Sequence, residues 1–177
     1  RGRESYMKQT YTYEVNGFQI HAEYEEKDIE TIFIPLLKKW KEMQKKAGRR
    51  ILVFLSAPPG TGKTTLVQFL EYLSEQEADA GPIQAIGLDG FHYHQQYILT
   101  HEACVEGRRV PMKEVKGCPE TYDLEKLRAK IYELRKGGEI WWPIYSRAIH
   151  DVVEDAVLVN RQIIVLEGNW LLSSEEP

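Results

Sequence analysis

Ala57-Pro58-Pro59-Gly60-Thr61-Gly62-Lys63-Thr64 sets two glycines, a lysine and a hydroxyl residue at the spacing of a phosphate-binding loop, directly after the apolar run Ile51-Leu52-Val53-Phe54-Leu55. Gly60 and Gly62 can take positive φ, which lets successive backbone N–H groups turn inward around phosphate oxygens. A helix opening at the end of the loop adds the positive end of its dipole. On this reading Pro59, Gly60, Thr61, Gly62, Lys63, Thr64 and Thr65 bind ATP; Lys63 reaches the β- and γ-phosphates and Thr64 gives a hydroxyl to Mg2+. The competing reading is an ordinary Pro/Gly turn. The strand before the loop and the helical run of Leu66, Leu70 and Leu73 after it favour the phosphate cradle. Ala57 stands where many such loops carry glycine.

Phosphoryl transfer also needs a group that orients or deprotonates an acceptor hydroxyl, and the chain has acids at the ends of predicted strands. Asp89, in Asp89-Gly90-Phe91-His92, ends the run Ile83–Leu88, with a glycine behind it that permits a sharp turn. We read it as the catalytic acid or base, against the alternative that it only caps a turn. Glu167 ends Ile163-Ile164-Val165-Leu166 and has the character of a metal or water-mediated Mg2+ partner; a solvated strand end is the alternative. Asp123 precedes an amphipathic run, so helix capping alone would justify it, and its reading stays open at this point. Tyr145 and Arg147, in Pro143-Ile144-Tyr145-Ser146-Arg147, are candidates for an acceptor pocket. His92, beside Asp89, is the functional candidate among the histidines. Neither the histidines nor Cys104 and Cys118 show metal-ligand spacing.

The elements that must position these residues follow from periodicity. Tyr11–Val15 and Phe18–Ala22 flank Asn16-Gly17, the strongest short hairpin signal. Ile29, Ile32, Phe33, Leu36, Leu37, Trp40 and Met43 lie on one predicted helical face, with Pro35 set to kink or restart the helix. The apolar runs at Ile51–Leu55 and Ile83–Leu88, joined by a helix, predict a βαβ unit with parallel strands, so that Asp89 faces the phosphates. A helix is predicted over Leu124–Leu134, stopped by Gly137-Gly138, then a short strand Ile140–Trp142 and a last strand Gln162–Leu166. With 177 residues and 42% hydrophobic content there is material for one substantial core. A net charge of −4 gives no electrostatic case for nucleic acid, and no long apolar span points to a membrane. We expect a small-molecule acceptor, reduced thiols and a cytoplasmic setting; a homodimer is compatible with all of this. The chain starts without Met and stops just after a strand, so we expect a longer parent polypeptide.

Ala57 to Thr65, Leu88-Asp89-Gly90-Phe91-His92, Lys116-Gly117-Cys118-Pro119-Glu120-Thr121-Tyr122-Asp123, Pro143 to Arg147 and Leu166-Glu167-Gly168-Asn169-Trp170-Leu171-Leu172 together resemble the uridine kinase, phosphoribulokinase and pantothenate kinase superfamily of P-loop kinases, in particular its nucleoside/nucleotide kinase-like branch. The resemblance runs from about Arg50 to Leu172. It implies an α/β fold, a P-loop NTPase-type three-layer sandwich with a mostly parallel sheet, as the core over residues 50–177. The hairpin and helix of residues 1–49 form an extension outside it. It further implies that Asp89 is base and Mg2+ partner, that Asp123 holds substrate hydroxyls, and that Glu167 is the second metal-site acid, with Tyr145 and Arg147 matched less securely. The function implied is transfer of the γ-phosphoryl group of ATP to a hydroxyl of a nucleoside, pantothenate-like alcohol or sugar. The runner-up is a nucleoside-monophosphate kinase, disfavoured because Asp-Gly-Phe follows on the next strand after the loop; a nucleotide-binding regulatory module without catalysis is the alternative from another class. The superfamily's arginine-bearing lid and adenine-contacting segment would lie beyond Pro177.

Overall fold

The computed structural model describes residues 7–15, 18–58 and 60–169. Strands β1 (Lys8–Val15) and β2 (Phe18–Glu25) pair antiparallel with Val15 opposite Phe18, the register of a two-residue connection. Asn16 and Gly17, on which the hairpin reading rested, lie outside the described residues. Helix α1 (Glu26–Asp28), a π-helical turn (Ile29–Phe33) and helix α2 (Ile34–Ala47) follow without a break. Pro35 sits in the first turn of α2, immediately after the π-helical turn, where the helix changes its hydrogen-bonding pattern rather than ending. The expected apolar face is buried only in part. Ile29 and Leu37 are inside, whereas Ile32 is 52% and Met43 49% exposed. A π turn adds a residue to the 3.6-residue period, so positions before it fall out of line with those after it.

Strands β3 (Ile51–Ser56) and β4 (Ile83–Gly87) bracket helix α3 (Lys63–Gln76). Helix α4 (Gln95–Thr100), strands β5 (Glu102–Val105) and β6 (Arg108–Pro111), helix α5 (Leu124–Arg135) and strands β7 (Ile140–Ser146), β8 (Asp151–Val159) and β9 (Ile163–Gly168) complete the chain. The central parallel sheet has the order β3-β9-β4, with the last strand in sequence at its centre. All six residues of β9 are buried, as expected of a continuous apolar run covered on both faces. The chain divides into two compact units, one of residues 1–53, 59–85 and 161–165, the other of residues 54–58, 86–160 and 166–177.

In the first unit an aromatic cluster joins the hairpin to α3. The Tyr24 ring stacks on Phe69 at 4.2 Å and Tyr13 on Tyr72 at 5.2 Å, while Tyr11 lies 5.0 Å from Phe69, which is fully buried. A polar staple secures the start of β4: Glu71 Oε2 accepts from Ala85 N at 2.7 Å, and Arg161 donates to the Ile83 carbonyl and to Glu75. Burial raises the Glu71 carboxyl pKa, against the lowering effect of the Ala85 N–H and Arg161.

In the second unit β7 and β8 form a long antiparallel pair, with a register shift between Trp142 and Ile144. Pro143 lies at that shift, where a residue without an N–H interrupts the ladder least. The expected strand Ile140–Trp142 is therefore the first half of β7. The β5–β6 hairpin packs a small core of Ile98, Ala103 and Met112.

Candidate active site

Residues 60–65 of the predicted phosphate loop lie in the first unit, and their backbone is the one the residue types call for. Gly60 has φ 77° and Gly62 has φ 80°, both left-handed, with open space where a Cβ would stand. Backbone conformation, not crowding, demands glycine at these two places. Helix α3 opens at Lys63, and Leu66 N donates to Gly62 O at 2.9 Å. Lys63 is half-buried, and Thr64 and Thr65 are exposed on the first turn. Pro59 lies outside the described residues. The extension touches this helix at its start as well as along its flank, since the Tyr13 hydroxyl donates to Thr65 O at 3.4 Å.

The second unit gathers the other candidates. Asp89 is exposed and opens a single 3-10 turn, Asp89–Phe91, directly after β4. A Cβ on Gly90 would meet the Pro143 carbonyl oxygen at 2.2 Å, so only glycine lets this turn lie against β7. Phe91 and Trp142 are both buried with rings 4.8 Å apart, and Trp142 Nε1 donates to Gly87 O at 2.9 Å. Residues 91–93 then run antiparallel to 121–123: Asp123 N donates to Phe91 O at 2.7 Å and Tyr93 N to Thr121 O at 3.0 Å. Asp89, His92, Asp123 and Tyr145 are thus carried on three neighbouring segments.

Asp123 is the N-cap of α5, its Oδ1 accepting from Lys126 N at 3.0 Å. The capping reading is therefore correct, and it commits one carboxylate oxygen. His92 Nδ1 lies 2.9 Å from Asp89 O. A carbonyl only accepts, so Nδ1 carries the proton and the neutral ring presents Nε2 as an acceptor. Burial lowers the His92 pKa below its ordinary value, opposed by the hydrogen bond to the Asp89 carbonyl and by the Asp89 charge. The ring lies 3.9 Å from that of Tyr122 and 5.6 Å from that of Tyr145. Glu167 ends β9 and is 7% exposed; Leu88 N donates to its carbonyl at 2.9 Å. Burial of a carboxylate at a strand end is the kind of cost functional sites carry. Arg147 lies in the exposed turn between β7 and β8.

Sequence reasoning missed Lys116 and Gln95. Lys116 Nζ donates to the Tyr145 hydroxyl at 2.8 Å and to Gln95 Oε1 at 3.1 Å. Its only signal was membership of the block ending in Asp123, since lysines on loops are usually solvated. A second polar group beside it is structural: His94 Nε2 is 3.0 Å from Glu154 Oε1, Lys126 also pairs with Glu154, and Asp151 Oδ1 accepts from Gln95 N and Val152 N. The Gln95 N–H first, then the other neighbours, hold the Asp151 carboxyl below its ordinary range.

Asp89 and Glu167 in the second unit, and separately Thr64 in the first, carry hard oxygen donors of the kind that Mg2+ takes. Among the described residues no group of three or more His, Cys, Asp or Glu side chains is placed to hold a metal by itself. No described helix is long and apolar enough to cross a membrane.

No family model matches the chain. It is 40% identical over 163 residues to the uncharacterized protein YggC of Escherichia coli K12, covering 92% of this chain and 65% of that protein. It is 27% identical to the pantothenate kinase of Enterococcus faecalis, over 80% of this chain and 50% of that one. To a protein of Schizosaccharomyces pombe provisionally assigned as a uridine kinase it is also 27% identical, over 73% of this chain and 54% of that one. A solved structure from Silicibacter, provisionally assigned as a fructose transport system kinase, superposes with a TM-score of 0.60 at 26% identity, over 77% of this chain and 63% of that one. Fold and sequence together place the chain in the superfamily of P-loop kinases that holds the pantothenate and uridine kinases. It spans between half and two thirds of the length of these curated relatives.

Proposed function

We propose that the chain carries the core of an ATP-dependent kinase, of the nucleoside/nucleotide kinase-like branch, that phosphorylates a hydroxyl of a small metabolite. The observation that carries this reading is the meeting in one unit of Asp89, His92, Asp123 and Tyr145, on segments far apart in sequence, while the left-handed glycines of the other unit form the cradle the superfamily uses for phosphates. Residues 50–177 are the kinase core on this reading, and residues 1–49 an extension that braces α3.

The Gly60–Thr65 backbone and Lys63 hold the triphosphate. Asp89 and Glu167 would offer carboxylate oxygens, and Thr64 a hydroxyl, to Mg2+, which would supply neutralisation of the triphosphate's charge. Asp89 takes the acceptor's hydroxyl proton as that oxygen bonds to the γ-phosphorus; the bond from γ-phosphorus to the bridging oxygen breaks and ADP leaves. Asp123, through the carboxylate oxygen not used in capping, holds acceptor hydroxyls. His92 Nε2 accepts from a donor of the same molecule, and Tyr145 and Arg147 line its far side.

The test is an ATP-consumption screen of the polypeptide against nucleosides, sugars, sugar phosphates and pantothenate-like alcohols, with product masses recorded. With an acceptor in hand, Asp123→Asn is expected to raise its KM about tenfold while sparing ATP affinity and kcat, because the contact is present in ground and transition states alike. Asn also caps helices well, so the melting temperature stays within a few degrees. A fall in kcat at unchanged KM would assign Asp123 to the chemical step instead.

A further inference from the structure

Among the candidate substrate contacts of the second unit, Lys116 stands out as a cation held by neutral groups. Its ammonium donates to the Tyr145 hydroxyl and to the Gln95 side-chain carbonyl, and it lies 4.8 Å from the Tyr145 ring centroid. Neither partner is a carboxylate. An ammonium has three N–H donors, so the two bonds fix its position and leave a third donor. The carboxylate that acts on it at longer range, Asp151, spends its Oδ1 on the N–H groups of Gln95 and Val152 and lies 3.7 Å from His94 Nδ1. Tyr145 links the ammonium to the acceptor segments, since its ring is 5.6 Å from that of His92.

We infer that Lys116 binds an anionic group of the acceptor, so that the substrate is an alcohol bearing a carboxylate or a phosphate rather than a neutral nucleoside or sugar. The inference rests on the kinase reading and deepens it. A lysine positioned by a phenol and an amide is pre-organised: the side-chain entropy of ordering it is already spent before substrate arrives. A charge-assisted hydrogen bond from such a group is strong enough to separate an anionic alcohol from its neutral counterpart by about tenfold or more. Tyr145 would then serve acceptor binding largely by fixing Lys116.

The experiment compares matched alcohols with and without the anion: D-ribose 5-phosphate with D-ribose, D-glycerate with glycerol, pantothenate with panthenol. For the wild type and for Lys116→Met, kcat/KM is measured with each, and equilibrium binding is measured by titration without ATP. The wild type is expected to favour at least one anionic member over its partner by about tenfold or more, in binding and in turnover, and Lys116→Met to bring that ratio close to one. The ribose pair reports a phosphate and the other two pairs a carboxylate. Loss of activity by the same factor on anionic and neutral members would overturn the inference, because Lys116 would then serve the transferred phosphoryl group. Equal binding of both members of every pair by the wild type would overturn it as well. Failure of the kinase reading has a separate signature: ATP affinity untouched by Lys63→Ala, whatever the alcohols do.

Discussion

Asp89→Asn is expected to lower kcat by about a hundredfold or more while changing the acceptor KM little. The substitution keeps the side chain's size and its ability to sit at the head of a turn, and removes the charge and the basic oxygen. Asp89 is exposed, and the turn it opens is held by Phe91 N to Leu88 O and by the close fit of Gly90 on Pro143, not by its carboxylate. The melting temperature should therefore stay within a few degrees of wild type, and an unfolded variant cannot be mistaken for an inactive one. Steady-state kinetics with a hydroxylated acceptor, with a thermal melt beside it, provide the check. Full kcat in the variant would remove Asp89 from the chemistry.

Lys63→Ala should abolish detectable ATP binding and turnover. A lysine at the first turn of α3 neutralises phosphate charge in a cradle otherwise built of neutral N–H groups, so its loss removes the strongest electrostatic contact of the loop. Alanine is the best helix former and Lys63 is half-buried at a helix start, so the fold is expected to persist. Isothermal titration with ATP decides the matter. Wild-type affinity in the variant would sink the nucleotide-binding assignment.

Local chemistry was legible in the sequence because it depends on residue type at fixed spacing. Gly60 and Gly62 were read as able to take positive φ and do; Asp89 was read at the end of a strand and lies just past the end of β4; capping was one of the readings left open for Asp123, and it caps α5. The sheet order was not legible. Strands β3, β4 and β9 are all short apolar runs, and nothing in such runs says which lies in the middle. The β7–β8 pair was half seen, because Pro143 breaks the pattern of β7 and the acids Asp151, Glu154 and Asp155 obscure β8. Lys116 was invisible for a different reason. Its interest comes from which neighbours it has, Tyr145 and Gln95, and a loop lysine carries no sign of its partners in its own segment.

The tyrosine stack sets an alkaline limit on the packing between the hairpin and α3. Burial first, and then Tyr24, push the Tyr13 hydroxyl from 10.0 up to about 12. Below pH 10 both folded and unfolded chains keep that proton, and the packing on Phe69 and Tyr72 makes its full contribution. From pH 10 toward about 12 the unfolded chain releases the proton while the folded one retains it, so the stability of the stack declines as pH rises through that window. A loss of near-ultraviolet tyrosine ellipticity that begins near pH 10, and that is delayed in Tyr13→Phe, is the expected mark. A phenol of the N-terminal hairpin thus makes the packing of that hairpin on α3 sensitive to base.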